Sequence, residues 1–215
     1  MKSVLISINP KWCEKIISGE KTIEVRKSAP KETPFKVYIY CTKDRRNLLP
    51  IDHGKVLQKV NFWENTDAYY GFGKIIGEFI CDKVYKIESI FSFYESYSGY
   101  NDLSDSSYFE GYSIDDERLK KTCLTRQDLY VYGKEKTLYG WLISELKIYG
   151  KPKKLSEFKT PPCDKPGGAC GNCKWLVKIN TPDVYECECY VEDGRPITRP
   201  PQSYMWVTEI EDGEN

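Results

Sequence analysis

Short apolar segments that alternate with polar residues run through this 215-residue chain and constrain its fold most strongly. Alternation with a period of two is typical of half-buried β-strands, whereas a period of 3.6 indicates a helix. The sequence predicts strands at 3–8, 21–26, 36–42, 74–87 and 203–210. Helices are predicted only at Pro10–Ser18, 115–122 and 126–132. Residues 138–149 fit either state, with strand favoured, so we expect a β-rich α+β fold.

Three polar or turn-rich stretches interrupt this pattern, and we interpret them as insertions into one domain that spans residues 1–215. The first two are predicted at 43–72 and 92–134, and a cysteine-rich insertion is predicted at 160–197. Paired prolines and glycines occur within the third stretch and predict loops there.

The overall composition excludes several functional classes. The chain has 32 basic and 32 acidic residues, which argues against a histone-like nucleic-acid binder. No apolar run approaches the roughly 18 residues of a membrane span, and no signal peptide is recognised, so we expect a cytoplasmic protein. The one histidine, His53, excludes mechanisms that need two histidines. Without a G-x-S-x-G motif, His53 is interpreted as a loop residue.

Charge is distributed unevenly along the chain. Residues 1–60 contain 13 basic and 6 acidic side chains, whereas residues 61–150 contain 10 and 15. A positive N-terminal third on a neutral protein predicts one basic face. Such a face can meet an anionic partner, although a lysine-rich solvated surface would give the same pattern.

The nine cysteines fall into two groups. Four are isolated and are predicted to be reduced and mostly buried: Cys13, Cys41, Cys81 and Cys123. Five crowd into a C-x6-C-x2-C-x13-C-x-C pattern: Cys163, Cys170, Cys173, Cys187 and Cys189. Two close thiolate pairs suit tetrahedral Zn²⁺, so we predict structural zinc held by four of the five. An iron–sulfur cluster or metal-free thiols are the alternatives.

Reactive side chains are concentrated in the segment Gly19–Arg26, after the first helix. In a strand, Thr22, Glu24 and Arg26 share one face. Glu24 and Arg26 can therefore hold a polar site together, and Lys21 at its mouth could act as a base or contact a phosphate. A plain surface ion pair between Glu24 and Arg26 would produce the same pattern.

This segment, in its context, resembles the start of an ASCH domain of the PUA-like superfamily. The resemblance extends over about 1–90, 135–160 and 197–210, and several larger relatives are bacterial or phage-encoded. It rests on strand 3–8, helix Pro10–Ser18, the motif SGEKTIEVRK at 18–27, strand 36–42, the strand at 75–79 and the closing segment 199–207. It implies a small, partly open β-barrel with flanking helices, here with a zinc-braced cysteine-rich insertion.

The resemblance also implies a function: recognition of RNA or a modified nucleobase. For such a binder, Lys21 and Arg26 would contact a phosphate or base edge, with Thr22 and Glu24 beside them. Stacking would come from Tyr38, Tyr40 or Trp206. The oligomeric state is left open.

Two other functions follow as alternatives. Some small ASCH proteins hydrolyse the amide of 4-N-acetylcytidine with the motif lysine, a threonine three residues later and a distant glutamate. Lys21 matches the lysine, Glu24 stands where the threonine would be, and Glu78 is the candidate distant acid. The second alternative is a phage- or defence-type protein–protein adaptor that would use the tyrosine-rich stretch 92–113.

Overall fold

The computed structural model describes residues 1–44, 49–52, 54–56, 69–93, 108–161, 176–178, 185–187 and 196–209. In these residues the helices are α1 (Pro10–Ile17), α2 (Asp116–Thr122) and α3 (Arg126–Gly133), with a 3-10 turn at Leu155–Glu157. The strands are β1 (Ser3–Ile8), β2 (Ile23–Arg26), β3 (Phe35–Cys41), β4 (Pro50–Asp52), β5 (Lys55–Val56), β6 (Tyr69–Tyr70), β7 (Ile75–Cys81), β8 (Val84–Ile87), β9 (Ser89–Phe93), β10 (Tyr108–Tyr112), β11 (Leu138–Leu142), β12 (Ser144–Lys153), β13 (Phe158–Lys159), β14 (Leu176–Lys178), β15 (Tyr185–Cys187) and β16 (Tyr204–Glu209).

Two sheets organise the described part of the chain. The larger has six strands in the order β12-β7-β3-β1-β16-β13, with β1 and β3 parallel and the other pairs antiparallel. The smaller has the antiparallel order β2-β11-β8. The pairs β9–β10 and β14–β15 and the small sheet β5-β4-β6 are further strand pairings in the described residues.

The first core lies between the two sheets. Alternate residues of β1, such as Val4 and Ile6, pack there with residues of β3 and β7. Trp141 of β11 joins them from the smaller sheet, and Cys13 and Ile16 from α1. The period-two alternation of the strands explains this arrangement, because every second side chain points to the same face.

Each sheet also buries its other face. Behind the larger sheet, Leu5, Tyr38 and Phe158 belong to a second core. Behind the smaller sheet, Val25 and Leu129 belong to a third core, to which α3 contributes. The β-rich α+β class predicted from sequence is therefore confirmed, with two sheets facing each other as in a partly open barrel and helices at their flanks.

The predicted strand at 74–87 is wrong in one respect, because the chain forms two strands there. The chain leaves the larger sheet after Cys81, turns at Asp82–Lys83 and enters the smaller sheet as β8. Residues 138–149, favoured as strand, likewise change sheets at Ile143. The two crossings lie side by side, since the Ser144 hydroxyl donates to Asp82 Oδ1 at 3.2 Å. Sequence alternation is the same on both sides of each crossing and gives no sign of it.

The helices begin where side-chain chemistry predicts. Asn9 caps α1 by accepting from the backbone N–H of Lys11, and Pro10 occupies the first turn. Thr125 and Asp128 form a capping box on α3. Gly19, with φ 77°, ends the turn after α1 in the left-handed region that glycine adopts without strain.

Several predictions concern residues outside the described part of the chain. His53, Cys163, Cys170, Cys173 and Cys189 lie there, as do most of the stretches 43–72 and 92–107. Of Cys187 only the backbone, at the end of β15, is described. Cys13, Cys41 and Cys81 are free and buried, and Cys123 is free and half-buried, as predicted. No helix in the described residues is long and apolar enough to cross a membrane.

Candidate functional site

A cleft of about 270 Å³ opens beside the edge of the smaller sheet, where four elements meet. Its walls come from the end of β1, helix α1, strand β2 and helix α3. Leu124, between α2 and α3, also contributes. The lining residues are Ser7, Ile8, Asn9, Trp12, Lys21, Glu24, Val25, Arg26, Leu124, Asp128 and Tyr132. The structure thus brings together Lys21, Glu24 and Arg26, three of the residues singled out from sequence.

Lys21 is 2% exposed although it carries a charge. Its Nζ donates to the carbonyl of Thr122 at 2.7 Å and to the carbonyl of Ile23 at 3.0 Å. Glu24 Oε2 lies 3.3 Å from the same nitrogen. An ammonium has three N–H donors, and three acceptors surround this one. Lys21 therefore fastens the end of α2 to the start of β2.

Arg26 lies two residues further along the same face of β2. Its Nη2 donates to the carbonyl of Ser7 at 2.8 Å, which ties β2 to the end of β1. Its Nε lies 3.5 Å from Glu24 Oε1. That nitrogen is buried and has no hydrogen-bond acceptor among the described residues, because the Glu24 contact is an ion pair without hydrogen-bond geometry. The cleft thus contains a buried N–H that lacks an acceptor.

The charges that line the cleft balance. Lys21 and Arg26 are opposed by Glu24, which is 6% exposed, and by Asp128 on α3. The backbone N–H and hydroxyl of Thr125 donate to Asp128 and hold the pKa of its carboxyl below the ordinary value. A neutral cleft with fixed donors and acceptors favours a polar ligand whose own groups alternate in the same way.

Two aromatic side chains form walls of the cleft. Trp12 comes from α1, and Tyr132, 37% exposed, comes from α3. Lys21 Nζ lies 5.4 Å from the centroid of the Trp12 ring, and Lys27 Nζ lies 4.8 Å from that of Tyr132. Amphipathic rings of this kind bind flat, partly polar molecules by stacking.

The remaining predicted site residues lie elsewhere. Tyr38 and Tyr40 are 1% and 4% exposed in the second core, on the other side of the larger sheet. Glu78 lies on β7, where it accepts from the Tyr149 hydroxyl at 2.6 Å. Thr22 precedes β2 and is not among the residues that line the cleft. Its carbonyl accepts a hydrogen bond from the backbone N–H of Ile143.

Trp206 is the predicted stacking residue that stays accessible. It is 37% exposed on β16, outside the cleft lining. Its ring packs edge-on against Tyr204, with the centroids 6.2 Å apart.

Sequence reasoning missed the contribution of the helices to this cleft. Trp12 was visible as an aromatic residue directly after the cap of α1, so its position could have been inferred. Asp128 and Tyr132 belong to a segment predicted as an insertion, and more than 100 residues separate them from β2. No local pattern in the sequence indicates that α3 packs beside β2.

Comparison with known proteins gives few matches. No protein-family model and no curated protein matches the chain. Among solved structures, one described as ASCH from Zymomonas mobilis is 15% identical, with a TM-score of 0.44, and covers 96% of this chain and 88% of its own. A variant of that protein with tyrosine changed to phenylalanine is 14% identical, with a TM-score of 0.44, over 97% of this chain and 91% of its own. This likeness assigns neither an activity nor a ligand to the present chain.

Proposed function

We propose that the chain recognises RNA or a modified nucleobase, and that the base enters the cleft lined by Trp12 and Tyr132. One observation carries the proposal: the Nε–H of Arg26 is buried at the cleft without an acceptor among the described residues. A buried unpaired donor costs about 1–3 kcal/mol. Because this nitrogen has essentially no exposed surface, a ligand acceptor reaches it only when the Arg26 or Glu24 side chain shifts, and it then recovers this free energy on binding.

The chemistry beside Arg26 fits the edge of a base. Carboxylates accept from exocyclic amines, and arginine donates to ring nitrogens and carbonyl oxygens. Glu24 and Arg26 offer one acceptor and one donor with 3.5 Å between Oε1 and Nε. The aromatic walls provide stacking for the faces of the base. The resemblance of residues 18–27 to the ASCH motif supports the same class of ligand.

The contacts of Lys21 favour binding over amide hydrolysis. A lysine that attacks an amide, or deprotonates water, needs a free amine. Here Nζ donates to two carbonyls and lies 3.3 Å from Glu24 Oε2, so three acceptors already engage it. Glu78, the predicted distant acid, does not line the cleft. Lys21 and Glu24 therefore shape the site, and Arg26 contributes the buried donor that lacks an acceptor among the described residues.

Replacing Arg26 by lysine is expected to weaken binding of the preferred nucleoside about tenfold, because the charge remains but the Nε–H is lost. Purified protein would be titrated with cytidine, 4-N-acetylcytidine, guanosine, adenosine and uridine, and binding followed by calorimetry. Arg118→Lys is the matched control, because Arg118 is an exposed arginine that pairs with Asp115 outside the cleft.

Equal affinity of wild type and the Arg26→Lys variant, with the fold intact, would overturn the role of the unpaired donor. The same samples test the alternatives by chromatography. If wild type releases cytidine from 4-N-acetylcytidine and a Lys21→Ala variant that is still folded does not, the site is catalytic and the proposal of recognition alone is wrong. Absence of any nucleoside or RNA binding would favour the adaptor.

We also propose that the clustered cysteines hold one structural zinc ion. The β14–β15 pair supports this, since Leu176 is the register partner of Cys187 and the chain therefore enters and leaves the ribbon at one end. Cys173 precedes Leu176 by three residues, and three residues reach at most about 11 Å. Cys189 follows Cys187 by two residues. No metal-ligating cluster occurs in the described residues, so the proposal rests on the sequence spacing and this register.

Metal analysis is expected to find about one zinc per chain. The double variant Cys170→Ser/Cys173→Ser should lose it, because closed structural sites need four ligands. Cys123→Ser is the control, since Cys123 follows α2 and is not one of the five clustered cysteines. Metal-free wild-type protein with an intact β14–β15 ribbon would contradict the site.

A further inference from the structure

A second depression, of about 480 Å³, lies between the segment that follows β2 and the start of β8. We call it the basic groove. Three exposed lysines and one aspartate are among its lining residues: Lys31, Lys83, Lys86 and Asp82. Tyr139 of β11 also lines it. The groove thus has a net positive lining, whereas the lining of the cleft is neutral.

The sheet register connects the basic groove with the cleft. Tyr139 is the register partner of Arg26 on one side and of Lys86 on the other. Directly paired residues of antiparallel strands point to the same face. Arg26, Tyr139 and Lys86 therefore form one row, which spans about 10 Å across two strand spacings. Along this row, burial decreases from buried Arg26 through half-buried Tyr139 to exposed Lys86.

We propose that the basic groove holds the sugar-phosphate backbone of a nucleic acid whose base occupies the cleft. This inference rests on the proposed function and narrows the ligand class, from a free nucleoside to a single-stranded oligonucleotide. Lysines act as point charges for phosphates, and the Tyr139 ring between cleft and groove offers a face for a neighbouring base. The row from Arg26 through Tyr139 to Lys86 leads from the base-sized cleft to the groove, which favours this ligand over an acidic peptide that would not need the cleft.

Lys31 and Lys83 are the groove lysines chosen for substitution. Lys86 Nζ lies 2.5 Å from Glu88 Oε1, so its charge is already shared. Lys83 Nζ lies 5.1 Å from the Tyr85 ring centroid, on the same loop edge as Asp82. Asp82 accepts from Ser144 and stays in place in both variants described next.

The experiment compares wild type with Lys31→Glu/Lys83→Glu and with a control reversal of two exposed lysines on β12, Lys147→Glu/Lys151→Glu. Each protein is titrated with the nucleoside preferred by wild type and with a ten-nucleotide single-stranded RNA that contains it, at several salt concentrations. In the groove variant, RNA affinity should fall about tenfold or more, and the salt slope should decrease by about 1.4, the value for two phosphate contacts. Nucleoside affinity should not change, and the control should behave as wild type.

Three results would overturn the groove assignment. The first is equal affinity of wild type for the RNA and for the nucleoside, which would overturn the groove assignment but leave the proposed function intact. So would equal RNA affinity in wild type and the groove variant. Groove-dependent binding of a poly-glutamate peptide, with RNA binding unchanged, would reassign the groove to an acidic partner. Failure of both RNA and nucleoside to bind wild type is a different pattern, which removes the proposed function as well.

Discussion

Lys21→Met should lower the free energy of unfolding by about 3–5 kcal/mol, the cost of removing one partner from a buried ion pair. The variant leaves Glu24, 6% exposed, without its closest cation. It also leaves the carbonyls of Thr122 and Ile23 without the donor that now satisfies them. Methionine fills a similar volume, so the loss reports the polar contacts and not a cavity. Guanidinium denaturation followed by tryptophan fluorescence measures it.

Lys15→Met is the matched control for Lys21→Met. Lys15 pairs with Glu20 at the surface, and exposed pairs contribute only about 0–1 kcal/mol. A second measurement is amide exchange at Thr22, whose N–H bonds the carbonyl of Lys121. Exchange there should accelerate in Lys21→Met, because the lysine joins α2 to β2. Unchanged stability and exchange would show that Lys21 is not a structural tie.

Trp141→Ala is expected to cost about 3–5 kcal/mol, the range for deleting a large aromatic side chain from a core. Trp141 is fully buried between the two sheets and packs edge-on against Phe35 and Tyr204, at centroid distances of 5.1 and 5.8 Å. It is also the register partner of Glu24, so its side chain lies beside that of Glu24 on the same face of the smaller sheet and supports it there. Denaturation and nucleoside affinity should both report the change.

Two further variants sharpen the Trp141 prediction. Its Nε1–H is buried without an acceptor among the described residues, so Trp141→Phe removes an unsatisfied donor together with volume. We therefore expect Trp141→Phe to cost clearly less than Trp141→Ala. Trp206→Ala, at a 37% exposed position, should cost little. If Trp141→Ala and Trp206→Ala lowered the free energy of unfolding equally, the core between the sheets would not depend on Trp141.

The local elements of this fold follow from residues close together in sequence. Asn9 and Pro10 begin α1, and Thr125 begins α3, because their side chains and ring geometry satisfy helix ends without tertiary help. The alternation of apolar and polar residues likewise predicted β1 and β3, because it arises between neighbours in the sequence. It also placed Glu24 and Arg26 on one face of β2, and the cleft contains both.

Only the tertiary structure decided which strand faces are buried and which are exposed to solvent. Tyr38 and Tyr40 alternate as a half-exposed strand would, but β12, β13 and the segment around Ile197 cover them, so they belong to the second core. The two sheet crossings, at Asp82–Lys83 and at Ile143, lie in stretches whose alternation does not change. Each depends on which sheet offers an open edge, and that is a property of the whole fold.

The sequence by itself determined the chemistry of the candidate site, and the tertiary structure determined its shape. Lys21, Glu24 and Arg26 could be identified because they are close together on one short segment, where Glu24 and Arg26 share a strand face. Asp128 and Tyr132 could not, because more than 100 residues separate them from β2 and only packing of Leu129 into the third core brings α3 to the cleft. Such a contact depends on the free energy gained by burying apolar surface between distant elements, and no local pattern in a single sequence indicates which elements will meet.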